Sequence, residues 1–422
     1  MQVTPPERQQ DQGIDTDLLV SARAVFDLEG PVAVAVSGGG DSVALLHLLH
    51  RAALERGRRL FAVTVDHGLR PEAAAEAAGV ARLCADLDIP HQSLRWDRGA
   101  ISGNLMDQAR QARRKLIADW AKAQGIGCIA LGHTADDEAE TVLMALARAS
   151  GLDGLAGMRR VWQLDGLRWM RPLLGHDRAE LRRYLRRHGI AWVDDPSNDN
   201  PQFTRVRARA ALAALAPLGI TAQAIATSAN HLKLAQNALQ DMLRRFVARE
   251  VVEAGGALQI PQAAFQDLPQ DLQRRLLNAA IDWLSAAAYP ARGAKQRTLL
   301  AAVTAGKAAT LAGCRFRCAG GFIHICREPR AVAALASATD ARWDNRWQMT
   351  GPHAPDLAIR ALGAQGLLQI KDWRSAGLRR DVLLVSPAIW QNDVLIAAPI
   401  AGFSNGWTAK PSQGFASFIL SH

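Results

Sequence analysis

Short apolar segments alternate with amphipathic segments between residue 31 and about residue 200, and this alternation restricts the fold more than any other feature. Four short segments predict β-strands, namely Val32–Val36, Leu60–Val65, His91–Trp96 and Cys128–Gly132. The segments that follow them have helical patterns, at about 41–56, 71–87, 104–124 and 136–150. Strands that alternate with helices predict an α/β fold with a doubly wound parallel sheet. Ligands of such sheets bind beyond the carboxyl ends of the strands, so the polar residues that directly follow these strands are candidate site residues.

The pattern changes after about residue 210. Two segments predict long helices rich in Ala and Leu, at 221–252 and 268–288, and we expect no strand between 205 and 255. Alternation over Thr310–Arg327, with a Gly-Gly pair at its centre, predicts a β-hairpin. These features predict a mainly helical domain after the α/β domain.

The last 90 or so residues contain short apolar runs, and Val382–Val385 and Val394–Ala398 among them predict strands. We therefore predict a small mixed or β-rich domain at the end of the chain. The predicted boundaries are 1–30 for an N-terminal extension, 31–210 for the α/β domain, 211–330 for the helical domain and 331–422 for the C-terminal domain.

Composition narrows the class of protein. The net charge of +10 favours a polyanionic partner. Only 7 of the 50 basic residues are Lys, however, and an Arg-rich proteome would produce the same excess of basic residues.

No apolar run is long enough to cross a bilayer, and the first 30 residues are polar, which predicts a cytoplasmic protein. The five cysteines include no Cys-x-x-Cys pair, so a disulfide framework is not expected. We interpret Cys314 and Cys318 as core thiols rather than metal ligands.

A glycine-rich segment, Ser37-Gly38-Gly39-Gly40-Asp41-Ser42, lies between the first predicted strand and the first predicted helix. Glycines allow a close approach of the backbone to an anion, and the N-terminus of the next helix contributes amide groups. Asp41 can hold a metal ion that is bound to phosphate. The alternative is an ordinary strand-to-helix turn. The segment lacks the Lys of a Walker A motif and the spacing of a Rossmann fingerprint.

The segment Leu131–Thr141 follows the fourth predicted strand and carries His133 together with several carboxylates. Asp136 and Asp137 precede Glu140 by four and three residues, so their side chains can meet on one helix face. Such a cluster suits Mg²⁺ or the ammonium groups of a diamine. The alternative is a capping box from Thr134 to Asp137. A cap explains one carboxylate and leaves the others to be explained.

Arginines are abundant near these segments, with twelve Arg against six Asp and Glu between residues 159 and 209. Residues 176–189 predict an Arg-rich helix, and Arg110 and Arg113 share one face of an earlier helix. Arg205, Arg207 and Arg209 follow an Asp-Pro-Ser-Asn turn at 195–198. These arginines could be solvated surface, but their place beside a phosphate-binding loop favours contacts with an RNA backbone.

The loop Ser37–Ser42 resembles the pyrophosphate loop of the ATP-pyrophosphatase (PP-loop) superfamily, whose fold is adenine nucleotide alpha hydrolase-like. Other segments resemble the tRNA(Ile)-lysidine synthetases of that superfamily, with high specificity up to about residue 210 and more weakly up to 330. These segments are Asp66–Arg70, Asn104–Arg113, Leu131–Thr141, Asp195–Arg209 and Gly306–Cys314. The chain departs from the family pattern at Arg114, where Tyr is usual, and at Val206, where Asn is usual.

The resemblance implies a ligase that uses ATP and Mg²⁺ to adenylate the wobble cytidine of a tRNA(Ile) with a CAU anticodon, and then attaches free L-lysine to carbon 2. It also implies residue roles. The implied ATP-binding residues are Ser37, Gly38, Gly39, Gly40, Asp41, Ser42 and Arg110. Asp41 and Asp136 would hold the metal, Asp137 and Glu140 lysine or metal, and His133, Arg110 and Arg113 the activated intermediate. Arg205, Arg207 and Arg209 would bind RNA. The alternatives are a tRNA sulfur transferase of the same superfamily and an inactive RNA-binding relative.

Overall fold

The computed structural model describes residues 5–27, 29–66, 68, 73–97, 105–193, 202, 204–286 and 293–421. The chain forms two compact units, Met1–Gln236 and Asn237–His422. The domain boundaries predicted at residues 30, 210 and 330 are not tested by this division and stay a prediction.

The first unit contains a six-stranded sheet with the order β3-β2-β1-β4-β6-β5. Its strands are β1 (Val32–Ala35), β2 (Leu60–Asp66), β3 (His91–Arg95), β4 (Cys128–Leu131), β5 (Val161–Leu164) and β6 (Leu167–Met170). All pairs are parallel except β5 with β6, which form an antiparallel hairpin at the edge. The predicted doubly wound parallel sheet is confirmed. The hairpin lacked a clear sequence signal because β5 alternates only between exposed and half-buried residues.

The helices of the first unit are α1 (Pro5–Arg23), α2 (Gly40–Arg56), α3 (Ala73–Asp86), α4 (Leu105–Ala123), α5 (Ala135–Leu146), α6 (Leu152–Leu155), α7 (Arg178–Arg187) and α8 (Thr204–Leu215). They cover both faces of the sheet. Val32 and Val34 of β1 pack in one core with α1, α2 and α7, whereas Ala33 and Ala35 pack in another with α4. A strand that is buried on both faces needs an unbroken apolar sequence, and β1 has one.

The chain order of the strands creates a crevice. From β1 the chain moves outward to β2 and β3, and it then crosses to β4 on the opposite side of β1. β1 and β4 are parallel neighbours, with Ala35 paired with Leu131 at their carboxyl ends. The loops after these two strands lead into α2 and α5. This is the topological switch point at which open α/β sheets bind ligands.

Helix α9 (Ala222–Glu250) runs across the boundary between the units. The second unit has sheets with the orders β7-β8-β11-β10-β9, β12-β14-β15-β16 and β13-β17. Its helices are α10 (Gln262–Asp267), α11 (Gln270–Ser285), α12 (Gly293–Thr304), α13 (Pro329–Val332), α14 (Gly363–Leu368), α15 (Arg380–Leu384) and α16 (Phe415–Ser421). Its strands are β7 (Val252–Ala254), β8 (Ala257–Pro261), β9 (Ala309–Leu311), β10 (Cys314–Ala319), β11 (Phe322–Arg327), β12 (Ala336–Ala338), β13 (Trp347–Thr350), β14 (Ala358–Ala361), β15 (Pro387–Gln391), β16 (Val394–Ala397) and β17 (Thr408–Pro411).

The predicted hairpin over Thr310–Arg327 is confirmed by the antiparallel pairing of β10 with β11. The expectation of no strand before residue 255 is wrong, because the Gly255-Gly256 turn lets the short β7 pair with β8. The strand predicted at Val382–Val385 is also wrong. There the chain forms α15, with Val382 packed in one core and Leu383 in another. A short apolar run fits a buried strand and a buried helical turn equally well.

All five cysteines are free thiols. In the part of the chain that the structure describes, no single helix is long and apolar enough to cross a membrane. One pair of helices, over 204–218 and 222–250, passes that test jointly but is bent by 97°.

Candidate active site

The predicted phosphate loop turns from β1 into α2 around Ser42. The Ser42 hydroxyl accepts the Ser37 backbone N–H at 3.1 Å and donates to the Gly39 carbonyl at 2.9 Å. Gly38 has a φ of +85°, in the left-handed region that favours glycine. From the segment after α7, the Val193 N–H donates to the Gly38 carbonyl at 3.1 Å. The loop is therefore held by hydrogen bonds within the protein, and the first-turn amides of α2 are oriented for an anion.

The loop after β4 approaches the phosphate loop closely at Gly132. A Cβ atom added there would lie 3.0 Å from the carbonyl oxygen of Asp41 and from the Cα of Ser42. Any larger residue would therefore push the two loops apart. Glycine at this position lets the acidic turn and the phosphate loop form one site.

The acidic turn at the start of α5 contains the predicted capping box. One oxygen of Asp137, Oδ2, accepts the Thr134 backbone N–H at 3.0 Å. Its other oxygen, Oδ1, lies 3.6 Å from guanidinium nitrogens of Arg178 and of Arg205. Asp137 thus caps the helix with one oxygen and faces the site with the other. The capping alternative and the site prediction are compatible.

The remaining carboxylates of the turn differ in their surroundings. Asp136 accepts the backbone N–H of Arg178 at 2.7 Å, so it ties the start of α7 to the site. Glu140 is fully buried and accepts from Arg209 Nε at 2.6 Å through Oε1. Its Oε2 has no hydrogen-bond partner among the described residues. Glu138 does not contact Arg178; its carboxylate accepts the Met158 N–H at 2.8 Å. Burial raises the pKa of Glu138.

Arg178 is the common partner of these acids, and the sequence analysis did not single it out. Its guanidinium donates to Asp41 at 3.0 Å and lies 3.6 Å from Asp137 and 3.9 Å from Glu140. Burial raises the pKa of Asp41, and the charge of Arg178 opposes that rise. The sequence shows an Arg-rich helix starting after Asp177, but only the packing of α7 selects which arginine enters the site.

The three arginines predicted to bind RNA occupy different environments on α8. Arg205 and Arg209 face the acidic turn, as ion partners of Asp137 and Glu140. Arg207 is exposed, and its side chain donates to the Thr204 hydroxyl at 3.3 Å. Their role in RNA binding stays a prediction; Arg207 is exposed, whereas Arg205 and Arg209 are partly exposed.

A second group of basic side chains surrounds His133. The buried Arg171, which the sequence analysis missed, donates from Nε to His133 Nδ1 at 3.1 Å. Burial, then the charge of Arg171, lowers the pKa of His133 to about 3. Burial and the neighbouring Arg110 lower the pKa of Arg113, which is half-buried, whereas Arg110 is exposed. The structure thus brings predicted residues of α4 and of the β4 loop to one place.

Several predicted positions lie outside the described residues, namely His67, Leu69, Arg70, Asn104, Phe203 and the turn at 195–198. Asp66 is described, and its Oδ1 accepts the Gly68 N–H at 2.7 Å. That contact caps the turn that follows β2.

The carboxylates of the site fit a magnesium ion by donor chemistry. Mg²⁺ prefers oxygen ligands and often uses only one or two carboxylates together with phosphate oxygens. Asp41 and Asp136 could supply these. Among the described residues, no group of three or more His, Cys, Asp or Glu side chains could hold a metal ion. Phosphate oxygens of a nucleotide would have to complete such a site.

Known proteins that are similar to this chain include nucleotide-binding and tRNA-modifying proteins. Residues 18–216 match the PP-loop domain family. The tRNA(Ile)-lysidine synthase of Ruegeria pomeroyi is 44% identical over 412 residues, which make up 96% of this chain and 98% of that protein. The chain belongs to the tRNA(Ile)-lysidine synthase family.

A second relative and a solved structure are also similar to this chain. The tRNA(Ile)-lysidine synthase of Hyphomonas neptunium is 40% identical and matches 74% of this chain and 87% of its own length. Among solved structures, the U34-tRNA thiolase NcsA from Methanococcus maripaludis with its 4Fe-4S cluster is 17% identical, with a TM-score of 0.46. That match covers 53% of this chain and 80% of the thiolase. The predicted family is confirmed, and the roles of the individual site residues stay predictions.

Proposed function

We propose that the protein attaches free lysine to carbon 2 of the wobble cytidine in a tRNA(Ile) with a CAU anticodon, after ATP has adenylated the oxygen on that carbon. One observation carries the proposal. Asp41 of the phosphate loop and Asp137 of the acidic turn contact the same guanidinium, that of Arg178. The phosphate loop is suited to a triphosphate, and the acidic turn is suited to a diamine. Both therefore belong to one site.

In the first step, the amides and hydroxyls of Ser37–Ser42 bind the phosphates of ATP at the N-terminus of α2. Asp41 and Asp136 would hold Mg²⁺, which neutralises charge on the phosphates when it is bound. The cytidine oxygen attacks the α-phosphorus, and pyrophosphate leaves. An oxygen that was a poor leaving group becomes a phosphate ester, which carbon 2 can expel as AMP.

In the second step, the acidic turn receives lysine. Asp137 Oδ1 lies at 3.6 Å from two arginines, beyond hydrogen-bond distance, so it can accept a closer donor. The buried Oε2 of Glu140 would gain a partner from the same ammonium group or its neighbour. The attacking amine must lose a proton from a starting pKa of about 10.4, and a carboxylate beside it can accept that proton.

Two alternatives are disfavoured by particular residues. A sulfur transferase needs a reactive thiol, and burial raises the pKa of every cysteine, to about 11 for Cys84, Cys128 and Cys314 and about 12 for Cys326. An inactive RNA-binding relative would explain the net charge of +10 but not the acidic cluster of Asp136, Asp137 and Glu140. We also infer a cytoplasmic enzyme, because tRNA, ATP and free lysine occur together there.

The decisive experiment is incorporation of radiolabelled lysine into tRNA(Ile) transcripts with CAU and with a changed wobble base. We expect ATP-dependent incorporation into the CAU transcript alone. Pyrophosphate release should require both tRNA and ATP. Sulfur transfer, or tRNA binding without pyrophosphate release, would contradict the proposal and support one of the alternatives.

A further inference from the structure

We propose that Arg171 is a positioning residue that holds His133 as a neutral ring with its proton on Nε2, so that His133 acts as a hydrogen-bond donor and not as an acid or base. This inference rests on the proposed function, since it assigns a role in the same site. It concerns one pair of side chains from two different loops of the sheet.

The geometry of the pair determines the tautomer. Arg171 Nε carries a hydrogen and no lone pair, so at 3.1 Å it can only donate, and His133 Nδ1 must accept. A ring whose Nδ1 accepts carries its proton on Nε2 when neutral. Protonating Nδ1 would place two N–H groups against each other.

The guanidinium of Arg171 has little freedom to turn away. Its NH1 donates to the Arg159 carbonyl at 2.6 Å, and its central carbon lies 4.1 Å from the ring centroid of Trp162. Trp162 in turn stacks on Trp169 across the β5–β6 hairpin. Arg171 is also only 8% exposed. The hydrogen bond to His133 is thus built into the fold.

The charges around His133 act in the same direction. Arg171, Arg113 and Arg205 disfavour a second positive charge on His133, and Asp137 favours one. Together with burial, these cations lower the pKa of the ring to about 3. His133 therefore stays neutral at every pH at which the enzyme would work.

A neutral ring with an Nε2–H group has a defined use next to an adenylated base. It can donate a hydrogen bond to a phosphate oxygen, or to the cytidine oxygen as negative charge develops there during expulsion of AMP. It cannot take the proton that lysine loses, because its remaining lone pair is bound by Arg171. The carboxylates of the acidic turn, or solvent, must accept that proton.

The direct test is nitrogen NMR of the full-length protein labelled at its histidines, with the His133 signal assigned by His133→Asn. We expect a non-protonated Nδ1 and a protonated Nε2, unchanged from about pH 5 to about pH 9. In Arg171→Met the pKa of the ring should rise towards its ordinary value, and both tautomers should become populated. A wild-type ring that titrates in this range, or that is protonated on Nδ1, would overturn the inference.

Kinetics test the catalytic part independently. His133→Ala should slow tRNA-dependent pyrophosphate release about a hundredfold, whereas His133→Gln, which keeps a neutral donor, should stay within about tenfold of wild type. If Gln is as slow as Ala, a donor role is wrong. Arg171→Lys is a second variant in case Arg171→Met does not fold. It keeps a cationic donor beside His133 Nδ1 and should partly preserve the tautomer. Arg168→Gln, which changes an arginine of β6 shortly before Arg171, is the matched control and should behave as wild type.

The two proposals fail in different ways. If wild-type protein releases no pyrophosphate with tRNA and incorporates no lysine, the proposed function is wrong, whatever the NMR result. If it does both and the ring titrates, only the role of Arg171 is wrong.

Discussion

The Nε of Arg178 donates a hydrogen bond of 3.0 Å to Asp41, although 137 residues separate the two in the chain. Burial lowers the pKa of Arg178, but Asp41 and Asp137 outweigh it and hold that pKa above its ordinary value. Arg178 therefore stays charged. It neutralises the carboxylates that are proposed to receive Mg²⁺ and lysine.

Arg178→Gln should lower the free energy of unfolding by about 1–3 kcal/mol, because it leaves partly buried carboxylates without a cation. Asp41→Asn removes the same contact, so the double variant should lose less than the sum of the two single losses. Urea unfolding of the four proteins measures this coupling. Arg23 and Glu55, 2.7 Å apart but much more exposed, form the control pair and should couple more weakly. Equal coupling in both pairs would contradict the inference that Arg178 neutralises the carboxylates of the site more strongly than an exposed ion pair does.

Asp41→Asn should abolish tRNA-dependent pyrophosphate release and leave the affinity for tRNA within a few-fold of wild type. The reason is the position of Asp41 in the first turn of α2, beside the proposed phosphate site. Filter binding and a pyrophosphate assay separate the two effects. Near-normal pyrophosphate release by this variant would rule out the proposed role in holding metal.

Glu140→Gln should raise the lysine concentration needed for half-maximal rate about ten- to a hundredfold, since a lost charge-assisted contact costs about 1.5–3 kcal/mol. Adenylated tRNA should still form when lysine is omitted, and labelled ATP traps it. Glu138→Gln is the matched control, because Glu138 lies on the same helix but binds the Met158 N–H. If Glu140→Gln forms no intermediate, Glu140 serves ATP and metal instead of lysine.

Arg207→Gln should weaken tRNA binding and lower the slope of log affinity against log salt by about one unit or less, because one phosphate contact is lost. Its side chain is exposed, so the fold and ATP binding should not change. Arg209→Gln provides the contrast. It breaks the 2.6 Å pair with Glu140 and should affect lysine use and stability more than the salt slope. An unchanged slope for Arg207→Gln would mean that this residue is ordinary surface.

Gly132→Ala should reduce adenylation while the protein remains folded. The added Cβ would meet backbone atoms of Asp41 and Ser42 at 3.0 Å, and backbone cannot move aside as easily as a side chain. Gly127→Ala, where a Cβ meets nothing within 4 Å, is the control and should be fully active. Circular dichroism confirms folding, and the pyrophosphate assay reports the effect. Full activity of Gly132→Ala would show that the two loops need not meet so closely.

Local features of the sequence were sufficient to predict the strands β1 to β4 and their parallel arrangement, but not the β5–β6 hairpin. Continuous apolar strands separated by amphipathic helices have few other stable arrangements, and β1 and β4 appear where their patterns predict them. The two loops that follow them carry the motif residues, including Asp41 and Asp137, which local spacing places at the starts of helices. Short apolar runs such as Val382–Val385 were ambiguous, because burial alone does not distinguish a strand from a helical turn.

The partners of the motif residues depend on tertiary structure. Arg178 and Arg171 are two among many arginines in the sequence, and nothing local distinguishes them. The crossing of the chain from β3 to β4 brings the two loops together, and the packing of α7 and of the β5–β6 hairpin then brings these guanidiniums to Asp41 and His133. The sequence by itself determined which chemical groups the site contains. The fold decided which charges neutralise one another and which nitrogen of His133 carries its proton, because both depend on distances between segments that are far apart in the chain.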